Sequence, residues 1–134
     1  MNYWLVKQEP STYSFDDFQK EKKTDWTGVR NYMARNFLRD MKKGDNVLFY
    51  HSGDEKAVVG FATVSKAAFA DPTADDDAWV AVELKAGKKF KRPVPLSEIK
   101  TEPKLANMLL VKNSRISVMS VTEDEYDQIA AIGN

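Results

Sequence analysis

The apolar positions of this chain fall into short blocks whose spacing changes along its length. Tyr3–Lys7 is a compact run dominated by aromatic and β-branched residues and closed by Pro10, which predicts a first strand. Ser14-Phe15-Asp16-Asp17 has the form of a helix start, since the Ser14 hydroxyl can accept from a free backbone N–H and Asp17 lies near the positive helix end. A short helix follows, with Phe15 and Phe18 on its inner face. From Asn31 to Met41 the apolar residues Ala34, Phe37, Leu38 and Met41 recur at helical spacing, leaving Arg35, Arg39 and Asp40 on the other side. Lys43-Gly44-Asp45 ends that helix. Val47–His51 and Val58–Lys66 read as a hairpin turning through Ser52-Gly53-Asp54.

Phe69–Ala78 is rich in aspartate and predicts a polar loop. Trp79–Leu84 and Lys89–Val94 predict two further strands, and Leu96–Leu110 two helical turns interrupted at Pro103. Arg115–Val121 predicts the last strand. Thr122-Glu123-Asp124-Glu125 is a capping box opening a final helix through Ile132, with Gly133 as its stop. About six strands with short flanking helices that do not alternate with them imply an α+β fold, a small and strongly curved sheet or barrel.

Composition narrows this picture without changing it. A chain of 134 residues, 43% hydrophobic and 30% charged, suits one domain spanning residues 1–134, and no repeat or linker divides it. No apolar run approaches the roughly 20 residues of a membrane helix, and the first residues lack the pattern of a signal peptide. Without cysteine there is no thiolate nucleophile, disulfide or cysteine metal site, which suits a reducing compartment; a cytoplasmic protein with no membrane partner is expected. His51 is the single histidine and has no carboxylate pair at ligand spacing, so no metal and no cofactor are expected. Net charge is zero with a pI near 6.6, which excludes a protein held on nucleic acid by bulk charge alone. Phosphate-binding glycine loops, GxSxG and HExxH are absent, so no catalytic residue is assigned.

The densest chemistry lies between Trp26 and Asn36. Trp26 could stack on a flat ring, Asn31 could meet a base edge with donor and acceptor together, and Arg30 and Arg35 could reach phosphates. The alternative is that Trp26 caps the core and the arginines are merely solvated. His51, beside Tyr50 and Ser52, could give one hydrogen bond to a ligand or be a turn residue without a role. Lys7-Gln8-Glu9 could hold an acid–base pair or a solvated one. Lys112-Asn113-Ser114-Arg115 and Lys88, Lys89, Lys91 and Arg92 form small basic stretches.

Four blocks, Tyr3-Trp-Leu-Val-Lys-Gln-Glu-Pro10, Trp26-Thr-Gly-Val-Arg-Asn-Tyr-Met-Ala-Arg-Asn36, Val47-Leu-Phe-Tyr-His-Ser52 and Ser114-Arg-Ile-Ser-Val-Met119, together resemble the EVE domain family and run in family order. The resemblance implies a PUA-like pseudobarrel related to the YTH domain, and a partner that is DNA or RNA carrying a modified base. By that analogy Trp26 walls the base pocket and Asn31 contacts a base edge. Tyr32, Tyr50, His51 and Ser52 line the pocket, Lys7 and Ser114 lie near its mouth, and Arg30, Arg35 and Arg115 contact phosphates. Thr27 stands where the family often has Asp, and Met33 where it often has Gln; both bear on which base is bound. No second cage tryptophan is assigned, since Trp79 begins a strand. Relatives of the ASCH type imply an alternative, hydrolysis of a modified nucleoside with Lys7, Glu9 and Thr24. A protein–protein module with a vestigial pocket is the third reading.

Overall fold

The computed structural model describes residues 1–134. Six strands form one mixed sheet in the order β2-β5-β4-β3-β1-β6. They are β1 (Tyr3–Gln8), β2 (Lys23–Trp26), β3 (Asn46–His51), β4 (Ala57–Ala70), β5 (Val80–Pro95) and β6 (Val118–Val121). Five short helices accompany them: α1 (Phe15–Glu21), α2 (Tyr32–Asp40), α3 (Leu96–Thr101), α4 (Leu109–Lys112) and α5 (Glu123–Gly133), with a 3-10 turn at Pro103–Leu105. The sheet curves but does not close, because β2 and β6 remain as edges. β1 pairs with β3 in parallel and with β6 antiparallel, which makes the sheet mixed.

Alternation along the strands sorts the core into two sides. Trp4 meets Phe37 of α2, and Phe49 meets Phe15, Phe18 and Trp26, so α1 and α2 cover one face. On the other face Tyr3 and Phe61 meet Tyr126 of α5, and Phe61 meets Phe90. Both helix starts expected from sequence form complete capping boxes, Ser14 with Asp17 and Thr122 with Glu125.

The structure corrects the sequence reading at three elements. The two strands expected from Trp79 to Val94 are one strand of 16 residues, β5, because Gly87 marks a close backbone approach and not a turn. A Cβ at Gly87 would lie 2.8 Å from the Phe61 carbonyl oxygen. β4 likewise runs on through Phe69 and Ala70 before the aspartate-rich loop begins. The third correction is β2 itself, a short edge strand ending at Trp26 that the sequence reading did not include.

Candidate functional site

Trp26 has 6% of its surface exposed and packs edge-on against Phe49, ring centroids 5.6 Å apart. It is therefore core, and it also borders a slot of about 190 Å³ lined by Gln8, Tyr13, Thr24, Asp25 and Thr27. The strand register explains the set. β2 pairs with β5 only through Trp26, where the chain leaves the sheet; Gln8 ends β1, and Tyr13 leads into α1. Tyr13 closes the slot: its hydroxyl donates to Glu21, and burial, with that bond next, pushes the phenol up to about 12. A larger opening, about 580 Å³, lies elsewhere, between Asn2–Trp4, Asp40, Lys42 and Ser120–Glu123. It is a broad groove around an internal bond, since Trp4 Nε1 donates to Asp45 at 2.9 Å.

The other candidate residues fall into three groups. At the start of α2, Asn31 is the N-cap, its Oδ1 accepting from the Ala34 N–H at 2.9 Å. Its Nδ2 makes no bond within the protein, and the residue is exposed. Tyr32, 64% exposed, stacks on Trp79 with centroids 5.0 Å apart, and Arg35 lies over Tyr32. Arg35 donates to the Ala78 carbonyl and to Asn36, whereas Arg30 is paired with Asp71 at 2.9 Å. Asp71 has a fully buried side chain that also accepts from the Gly28 N–H and from Thr73. Burial alone would push its carboxyl up, but these bonds and Arg30 hold it well below the ordinary range.

At the end of β3, both nitrogens of His51 have partners. Nε2 accepts from the Phe15 N–H at 3.0 Å, so the proton sits on Nδ1, which donates to Glu55 at 2.8 Å. Ser52 donates its N–H to the Gln8 carbonyl. The third group lies on the α5 side of the sheet. Lys7 donates to the Ser114 carbonyl at 2.9 Å and sits over the Tyr50 ring at 5.5 Å. Burial lowers Lys7 and raises Tyr50. Arg115 follows on an exposed loop, outside the ion pairs of the molecule. The strand thus separates Lys7 and Tyr50 from the slot that its neighbour Gln8 lines.

Sequence reasoning missed Gln8, Tyr13, Asp25 and Thr27 as slot residues, and Asp71 as the tie between two loops. For Asp71 a signal existed: Asp-Pro-Thr is an Asx-turn pattern, and its carboxylate does bind the Thr73 N–H two residues on. For the slot residues no local pattern exists, since they converge from β1, β2 and the segment before α1.

A six-stranded mixed sheet flanked by short helices, with an aromatic slot where its edge strand ends, defines an α+β domain of the PUA-like kind. A model of the EVE domain matches residues 2–132, and the chain belongs to that family. Thymocyte nuclear protein 1 of Mus musculus is 34% identical over 98% of this chain and 73% of its own length. A crystal structure of a protein from Agrobacterium tumefaciens is 42% identical and superposes with a TM-score of 0.96, covering 100% of this chain and 94% of that one. The human THYN1 protein in complex with 5-methylcytosine-containing DNA is 31% identical, with a TM-score of 0.92 over 100% of this chain and 98% of that one. No helix here is long and apolar enough to cross a membrane.

Proposed function

We propose that this protein is a non-catalytic reader of a modified nucleobase in nucleic acid, and that the slot beside Trp26 receives the base. The observation that carries the reading is the placement of an indole, a phenol and the polar residues Gln8, Thr24, Asp25 and Thr27 around one narrow opening at the end of an edge strand. Such a set combines a flat apolar wall with donors and acceptors for a base edge. The likeness to human THYN1 in complex with 5-methylcytosine-containing DNA supports it and names the first ligand to try. Stacking contributes about 1–3 kcal/mol per base, whereas extruding a paired base costs a few kcal/mol. Stacking alone therefore does not capture a base from an intact duplex, and the polar rim must add selectivity. Asn31 Nδ2, Arg35 and Arg115 are the remaining groups from the family blocks with free donors or uncompensated charge near the surface.

A hydrolase built on Lys7, Glu9 and Thr24 finds less support. Thr24 lines the slot on the α1 side, whereas Lys7 turns to the α5 side and is engaged by Ser114.

The test is binding of methylated and unmethylated oligonucleotides by fluorescence anisotropy. Trp26→Ala is expected to abolish the preference for the methylated strand. Because Trp26 is also core, this change should destabilise the fold by about 3–5 kcal/mol. Gln8→Ala, on the rim of the slot, is the second variant: it should reduce the preference several-fold in a protein of near-normal stability. Undiminished preference in both variants, with circular dichroism showing a folded chain, would place the base elsewhere.

A further inference from the structure

The chain has as many acidic as basic residues, 20 of each, but the lysines are not evenly spread. Lys20 and Lys22 close α1, Lys23 opens β2, and Lys85 and Lys88 lie on β5. Antiparallel pairing sets Lys23 directly across from Lys85. The Lys22 carbonyl accepts from the Ala86 N–H at 2.8 Å, and Gln19 Nε2 donates to the Gly87 carbonyl at 3.2 Å. These bonds draw the end of α1 against the β5 segment that carries Lys88. All five lysines are exposed, and none takes part in an ion pair.

Three of the carboxylates around them are engaged. Asp16 is paired with Lys89, and Glu21 accepts from the Tyr13 hydroxyl. Asp25 and Glu83 face one another further along the same ladder, with Ser65 donating to Glu83.

Two features of the cluster work against the isolated protein. Like charges directly opposite on a ladder repel one another. Lys22 also has a φ of 71°, a backbone region in which a side chain is crowded and glycine is favoured. Asp25 and Glu83, the next pair on the same face of the ladder, offset part of this repulsion, and a polyanion laid across the lysines would offset more.

The position of the cluster identifies the polyanion. Lys23 and Trp26 lie roughly 10 Å apart along β2, the lysine on the outer face and the indole on the inner face of this edge strand, so a strand of nucleic acid must pass over the sheet edge to meet both. We propose that this lysine cluster is the phosphate-backbone surface for the nucleic acid whose base enters the Trp26 slot. The proposal rests on the base-reading function above. It assigns the sequence-independent part of the affinity to β2 and β5, leaving selectivity to the slot. It also accounts for binding by a protein without net charge. Arg30, the cation closest in sequence on the far side of Trp26, is held by Asp71.

The experiment is a salt titration of the full chain on a 5-methylcytosine-containing duplex, its unmethylated counterpart and the matching RNA. Wild type is compared with the triple variant Lys23→Gln, Lys85→Gln, Lys88→Gln. Every phosphate that a lysine neutralises adds about 0.9 to the steepness of log K against log salt, so the triple variant should be shallower by about 2–3. Its affinity should fall by the same factor for methylated and unmethylated strands, with the preference ratio retained. Neutralising Lys100 and Lys104, on the far helices, should change neither quantity. A triple variant with an unchanged slope and an intact preference overturns the lysine surface and leaves the slot standing. Lysine-dependent binding without any preference for the modified base keeps the surface and overturns the reader. No binding to any of the three nucleic acids, or lysine-dependent binding of polyglutamate in their place, overturns both.

Discussion

Asp71 shows how one side chain can set the shape of a surface. It starts the loop between β4 and β5, yet its carboxylate reaches the Gly28 N–H and Arg30 in the loop that follows Trp26. Asp45 does similar work at the start of β3, where it accepts from Trp4 Nε1 and from the Lys42 and Asn2 N–H groups. Burial pushes both carboxyls up, and the hydrogen bonds outweigh it, so both end below the ordinary range. The sign of the pH dependence follows. A carboxylate with a lowered folded-state value contributes fully above its unfolded value of about 3.9, and that contribution fades as pH falls through the lower, folded value. Stability is thus expected to hold through neutral and mildly acidic pH and to decline below about pH 4. Asp71→Asn should cost roughly 1.5–3 kcal/mol in urea denaturation at neutral pH, by losing charge-assisted bonds, and should flatten the acid-side decline. A variant as stable as wild type across that range would show that the two loops are held by something else.

At the scale of elements, the docking of α1 decides whether Tyr13 can close the slot. Three devices fix it: the Ser14 capping box, the Phe15 N–H bonded to His51, and the Phe15 ring lying over Gly60. A Cβ at Gly60 would fall 2.3 Å from the tip of that ring, which is wedged between Phe18 and Phe49 and has nowhere to move. Gly60→Ala is therefore expected to cost about 1–3 kcal/mol by overpacking, and to raise the hydrogen exchange of α1 amides above that of β3. Exchange that rises uniformly, or not at all, would show that α1 is not anchored there. The helices were legible in sequence because caps and helical spacing are local signals, and Ser14, Thr122 and the Ala34–Leu38 face all appear where expected. β2 was not legible. It has only four residues, carries exposed charge as edge strands do, and owes its form to pairing with β5, roughly 60 positions later. Trp26 shared that fate: sequence could not separate its two readings, because the residue packs in the core and also borders the slot.

For the whole molecule, one contiguous core cluster joins 32 buried residues drawn from both faces of the sheet. We expect a single cooperative unfolding transition, with circular dichroism and tryptophan fluorescence coincident in urea. Separate midpoints for the two signals would divide the chain into independent units. The family blocks made the fold legible before the sheet order could be, since strand order depends on distant pairings that no window of sequence contains.

The position of β1 has a consequence for how the molecule is made. Tyr3 pairs with Asn46 on one side and with Val121 on the other. As the chain leaves the ribosome, the first strand can find its parallel neighbour early, but its second edge stays open until Val118–Val121 are synthesised. Until then the nascent sheet shows an unpaired, apolar edge, the kind of template that invites pairing with another chain. Translation that stalls shortly before Val118 would therefore leave this protein at its most vulnerable, with a nearly complete sheet waiting for its final strand.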